Sequence, residues 1–151
     1  MPVTRRSRIV AAAPATVWQT VADPHRMPRW WPRVERVEGV DGRGFTQVLR
    51  SEKGALVRAD FRFGQKHKPR VVVWTQDLEG TPFARLLARS QTTVALEPDG
   101  DGATRVELAL DQKLQGISRF GGFIVRRAGR RQLDAALDAL AALHEPDGSA
   151  G

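Results

Sequence analysis

Apolar residues along this chain change their spacing once, near residue 118. Before that point they recur at every second position. Val57, Ala59, Phe61 and Phe63 alternate with Arg58, Asp60 and Arg62, and Val106, Leu108 and Leu110 alternate with Arg105, Glu107 and Asp111. A period of two belongs to a strand with one face on a core and the other in water. After that point Phe120, Phe123/Ile124, Leu133, Ala136/Leu137, Leu140 and Leu143 recur at helical spacing, which predicts one helix over 118–144 of about seven turns. Strands and helices do not alternate, so the sheet is antiparallel. One long amphipathic helix and one antiparallel sheet must bury their apolar faces on each other, an α+β arrangement.

Breakers divide the chain further. A strand over 4–12 leads to Pro14, which suits the first position of a helix because its missing N–H costs nothing there. Val17, Trp18 and Val21 give that helix one apolar side, and Asp23-Pro24 ends it. A second helical turn over 25–31 is closed by Pro32. Strands follow over 33–40, 45–52, 57–63, 71–75, 91–97 and 105–113, separated by glycine-rich turns such as Pro98-Asp99-Gly100-Asp101-Gly102. The segment 83–89 reads equally as a helical turn or the start of a strand.

A length of 151 residues suits one domain, read as 1–145 with a tail at 146–151. The absence of cysteine excludes disulfides and thiolate metal sites. No run approaches the roughly 18 apolar residues of a membrane span, and the apolar stretch Ile9 to Ala15 after the N-terminal arginines, at the short limit for an export signal and mostly alanine, is read instead as an edge strand followed by a helix. A cytoplasmic protein is expected. The net charge of +7 invites nucleic acid as a partner, but arginine outnumbers lysine 20 to 4 and is dispersed, so surface solvation is the expected role. The three histidines, His25, His67 and His144, lie far apart with no ligand spacing, and no phosphate-binding glycine loop or nucleophile elbow is present. No metal or cofactor is expected.

Three stretches carry a family resemblance: Ile9-Val10 through Ala13-Pro14-Ala15-Thr16-Val17-Trp18, then Asp23 through Trp30-Trp31-Pro32, then the hairpin from Pro98 to Leu110. With the order of elements, they resemble the START-like or helix-grip (SRPBCC) superfamily, and within it bacterial polyketide cyclase/dehydrase proteins. The resemblance implies a curved sheet of about seven strands around the C-terminal helix, two short helices after the first strand, and a cavity between sheet and helix. The superfamily hosts carriers, sensors and enzymes on one scaffold, so fold does not decide function.

On that expectation Trp18, Trp30, Trp31, Phe61, Phe63 and Trp74 line the cavity, joined by Val94, Leu108, Phe120 and Ile124. Core packing is the alternative for each, since the same strand face builds both. Adjacent residues of a helical turn point about 100° apart, so one of Trp30 and Trp31 is expected under the sheet and the other at the cavity mouth. Arg127 or Arg131 anchors an anionic ligand group, or else belongs to a solvated helix face with Arg126 and Arg130. The expected function is binding of a small hydrophobic or aromatic metabolite, lipid or polyketide. A polyketide cyclase/dehydratase and an interaction module using the basic helix are the alternatives, and a homodimer is left open. Gln76, Gln91, Thr93 and Gln112 stand as polar candidates near strand ends.

Overall fold

The computed structural model describes residues 3–116 and 119–145, with side chains omitted at 119 and 120. Strand β1 (Val3–Val10) leads into helix α1 (Pro14–Val21) and a 3₁₀ turn (Pro24–Arg29). Six strands follow: β2 (Val34–Glu38), β3 (Gly44–Arg50), β4 (Leu56–His67), β5 (Val71–Asp77), β6 (Leu87–Pro98) and β7 (Thr104–Leu114). Helix α2 (Arg119–Leu143) ends the described chain. The expected tail at 146–151 and Ser118 lie outside the described residues.

The strands form one curved antiparallel sheet in the order β1-β7-β6-β5-β4-β3-β2. This is the α+β helix-grip arrangement. Two elements differ from the sequence reading. Strand β4 runs on to His67, because a bulge between Phe63 and Lys66 lets it keep pairing with β5 after the alternation breaks at Gly64. The ambiguous segment divides into a 3₁₀ turn at Pro82–Arg85 and the first residues of β6.

Local chemistry explains the turns that set up the interior. Pro14 starts α1, and the Asp23 carboxylate caps the 3₁₀ turn by accepting from the His25 N–H at 3.0 Å. Arg33 follows Pro32 with φ +68°, a left-handed conformation that non-glycine residues rarely hold. Its carbonyl nonetheless accepts the Arg50 N–H at 2.9 Å, which ties the 3₁₀ turn to the end of β3.

Helix α2 packs over β1 and β7. Its second half buries Leu133, Ala136, Leu137 and Leu140. Its first half approaches through small residues: a methyl group on Gly129 would meet Leu110 at 3.4 Å, and one on Gly122 would meet Leu114 at 3.3 Å. Phe123 and Ile124 point away from that contact and stay 52% and 56% exposed. Asp134 pairs with Arg6 at 3.2 Å, and Asp138 pairs with Arg8, so both acids of α2 are turned toward β1.

Candidate functional site

A cavity of about 190 Å³ lies between the concave face of the sheet and α2. Trp31, Phe61, Trp74 and Phe83 supply its aromatic walls, and Leu49, Ala59, Leu87 and Leu110 its aliphatic ones. Its polar groups are Gln47, Gln76, Ser90, Thr92, Gln112 and Gln132. Among the described residues no ionisable side chain lines it.

The strands deliver the polar groups through simple alternation. Gln47 stands two residues from Phe45, Gln76 two from Trp74, Gln112 two from Leu110, and Thr92 and Ser90 continue the inward side of Val94 and Leu96. Each therefore occupies the inward phase of its strand, beside apolar residues of the core or another cavity-facing polar group. Gln47 is 1% exposed, and its Nε2 donates to the Met27 thioether at 3.2 Å, a weak acceptor. Gln91 and Thr93, singled out in the sequence, face the other side of β6, where Gln91 accepts from Arg89 at 3.1 Å. Asp60 is exposed on the outer face of β4, accepting from the Thr46 hydroxyl at 2.5 Å.

The paired tryptophans divide between two environments, but neither sits at an exposed mouth. Trp30 and Trp31 are 2% and 5% exposed, with ring centroids 5.3 Å apart and planes at 83°. Trp31 borders the cavity and meets Trp74 edge-on at 5.9 Å. Trp30 is core, and its indole Nε1 is buried without a hydrogen-bond partner among the described residues. Phe45 joins the cluster, stacked on Phe61 at 5.3 Å.

Beyond Trp31 the chain leaves the interior. Pro32 and Arg33 form one wall of an open groove of about 810 Å³, with Glu52 beside them. The opposite wall is α2: Phe123, Ile124, Arg127, Ala128, Arg131, Gln132 and Ala135. Gln132 borders both groove and cavity, so the two spaces are neighbours across one side chain.

Of the residues expected at the cavity, Trp31, Phe61 and Trp74 are at its wall. Trp18, Val94 and Leu108 are instead buried in the core without bordering it, because α1 and the inner strand ends fill that region solidly. Phe63 packs half-buried on Phe45. Ile124 lies on the groove, turned outward by the glycine contacts of α2. The Phe120 side chain lies outside the described residues. Arg127 and Arg131 line the groove.

Charges around the rim are largely paired. Hydrogen bonding to Arg50 at 2.7 Å, reinforced by its charge, holds the Glu35 carboxyl below its ordinary pKa. Arg36 and then Arg58 do the same for Glu38 through their hydrogen bonds. Burial pushes the His144 imidazole below its ordinary value, with Nε2 3.2 Å from the Thr20 hydroxyl. Among the described residues no group of three or more His, Cys, Asp or Glu is placed to hold a metal ion, and no helix is long and apolar enough to cross a membrane.

Known structures share this architecture. A START superfamily protein from Mycobacterium smegmatis superposes with a TM-score of 0.77 at 13% identity, covering 94% of this chain and 96% of its own. The Zhui aromatase/cyclase from Streptomyces sp. R1128 gives 0.75 at 19% identity, covering 95% and 93%. The di-domain aromatase/cyclase BexL of the BE-7585A biosynthetic pathway gives 0.79 at 21% identity, covering 94% of this chain and 46% of its own. At such identities the likeness concerns the fold alone. No curated protein matches the sequence. The family model described as polyketide cyclase/dehydrase and lipid transport matches residues 1–145, and the chain belongs to that family.

Proposed function

We propose that this protein binds a small molecule whose uncharged, oxygen-bearing aromatic ring occupies the cavity between sheet and α2. The observation that carries the reading is the lining: aromatic faces, amides and hydroxyls, with no ionisable side chain among the described residues. Aromatic walls favour a flat ring. Buried amides cost free energy unless they are hydrogen-bonded, so their convergence on one space selects a ligand that carries carbonyl or hydroxyl groups. An uncompensated charge is penalised far more heavily there. A cavity of roughly 150 Å³ is known to hold one benzene, so about 190 Å³ suits one or two fused rings.

The test is tryptophan fluorescence, since Trp31 and Trp74 line the cavity. A naphthol should quench saturably, naphthalene should bind more weakly, and Trp31→Phe should reduce the response. The absence of saturable quenching by any such ring would refute the reading.

The family description supports a second reading, a polyketide cyclase. Side-chain amides can donate to substrate carbonyls and hold a reactive chain folded, but among the described residues no lining group is suited to moving a proton. Cyclisation of a poly-keto probe by the protein, lost in Gln112→Leu with binding retained, would favour this reading over simple binding.

A further inference from the structure

The groove beside the cavity gathers guanidinium groups on one concave wall. Some arginines of the surface meet acids: Arg50 with Glu35 at 2.7 Å, Arg58 with Glu38 at 2.6 Å, Arg62 with Asp77 at 2.8 Å. On α2, Asp134 and Asp138 are already held by Arg6 and Arg8 of β1. Arg127 and Arg131 therefore face the groove with no ion pair or hydrogen bond among the described residues. They stand one helical turn apart, where like charges are mildly unfavourable. Among the described residues the groove's one acid is Glu52, 3.4 Å from Arg33 on the opposite wall. Phe123 and Ile124, each more than half exposed, line the same groove one helical turn before Arg127.

We propose that the groove is an anion subsite that receives the carboxylate of an amphipathic ligand whose ring occupies the cavity. This rests on the cavity reading and adds polarity to it. The ring passes Gln132 and sits among neutral groups, and the carboxylate bridges Arg127 and Arg131 in the groove. Two guanidiniums one turn apart convert their mutual repulsion into charge-assisted hydrogen bonds when an anion lies between them. The reverse orientation would put the charge where nothing neutralises it. Concavity and the shared Gln132 favour a small ligand over a membrane or RNA surface.

The experiment compares three probes by tryptophan quenching: a naphthol, a naphthyloxyhexanoic acid and that acid's primary amide. The acid should bind about tenfold tighter than the amide, the lower range for a charge-assisted hydrogen bond. In Arg127→Gln/Arg131→Gln the advantage should vanish while naphthol affinity stays unchanged, because both arginines are exposed and outside the cavity. Glu52→Gln should widen the advantage by removing a like charge from the groove. Equal binding of acid and amide, or an advantage surviving in the double variant, overturns the subsite and leaves the cavity reading intact if naphthol binds. Acid binding that needs the arginines while naphthol fails supports the groove and removes the cavity reading, and failure of all three probes removes both. Arginine-dependent retention on phosphatidylglycerol vesicles or RNA, with no preference for acid over amide, assigns the arginines to a macromolecular surface and overturns the proposal.

Discussion

Replacing Gln47 by methionine separates stability from ligand binding. Gln47 projects from β3 into the cavity, is 1% exposed, and donates to a thioether sulfur at 3.2 Å. An amide offers two donors and two acceptor lone pairs, and sulfur satisfies one donor weakly. Burying such a group without full compensation costs about 1–3 kcal/mol in mutational series. Methionine keeps the chain length and replaces the amide with apolar atoms. Gln47→Met should therefore stabilise the ligand-free protein by about 1 kcal/mol, taking the low end of that range. For a chain of 151 residues this corresponds to a rise in Tm of about 2–4 °C, read by thermal unfolding followed by circular dichroism. The same change should weaken naphthol binding about tenfold, because a ligand oxygen loses its donor. A loss of stability exceeding about 1 kcal/mol would show that the amide is a structural bridge. Unchanged affinity would show that it does not meet the ligand. Either result refutes the argument that the buried amides exist for a ligand.

Three further outcomes test the packing. Leu133→Ala, at a fully buried position of α2, should cost about 2–5 kcal/mol in urea unfolding, whereas Ile124→Ala on the groove should change stability by less than about 0.5 kcal/mol. Gly44→Ala should cost about 2–4 kcal/mol, because a methyl group there overlaps the Phe61 carbonyl and comes within 3.1 Å of the Arg62 Cα on the paired strand. His144 titrates below its ordinary value of 6.5 when folded, so the unfolded chain takes up a proton first as pH falls. Stability should therefore decline as pH drops below that value until the folded histidine also protonates, and His144→Gln should flatten that part of the Tm-versus-pH curve.

Much of the architecture was legible in the residues. The change of period near 118, the proline positions and the Asp-Gly turns marked nearly every element, because helix and strand spacing and turn chemistry are local properties. The cavity's polar belt was legible too, although less openly. Gln47, Thr92, Ser90 and Gln112 all fall in phase with apolar neighbours, and a polar residue in an inward phase signals an interior that is not purely core. Reading Gln91 and Thr93 as candidates missed that phase by one residue, which in a strand means the opposite face.

Which aromatic residues meet the cavity depended on tertiary packing. Val94 and Leu108 share the strand faces of lining residues, yet neighbours close over them, and Trp18 stands on α1, which adds no described residue to the cavity wall. Ile124 has the spacing of a core residue, but Gly122 and Gly129 bring a different side of α2 to the sheet and leave it outside. The partners of Asp134 and Asp138 lie on β1, more than a hundred residues away in sequence, and that pairing leaves Arg127 and Arg131 free for the groove. Periodicity specifies which side of an element is apolar, while the distance between elements, set by the smallest side chains at their contact, decides whether that side meets core, cavity or solvent.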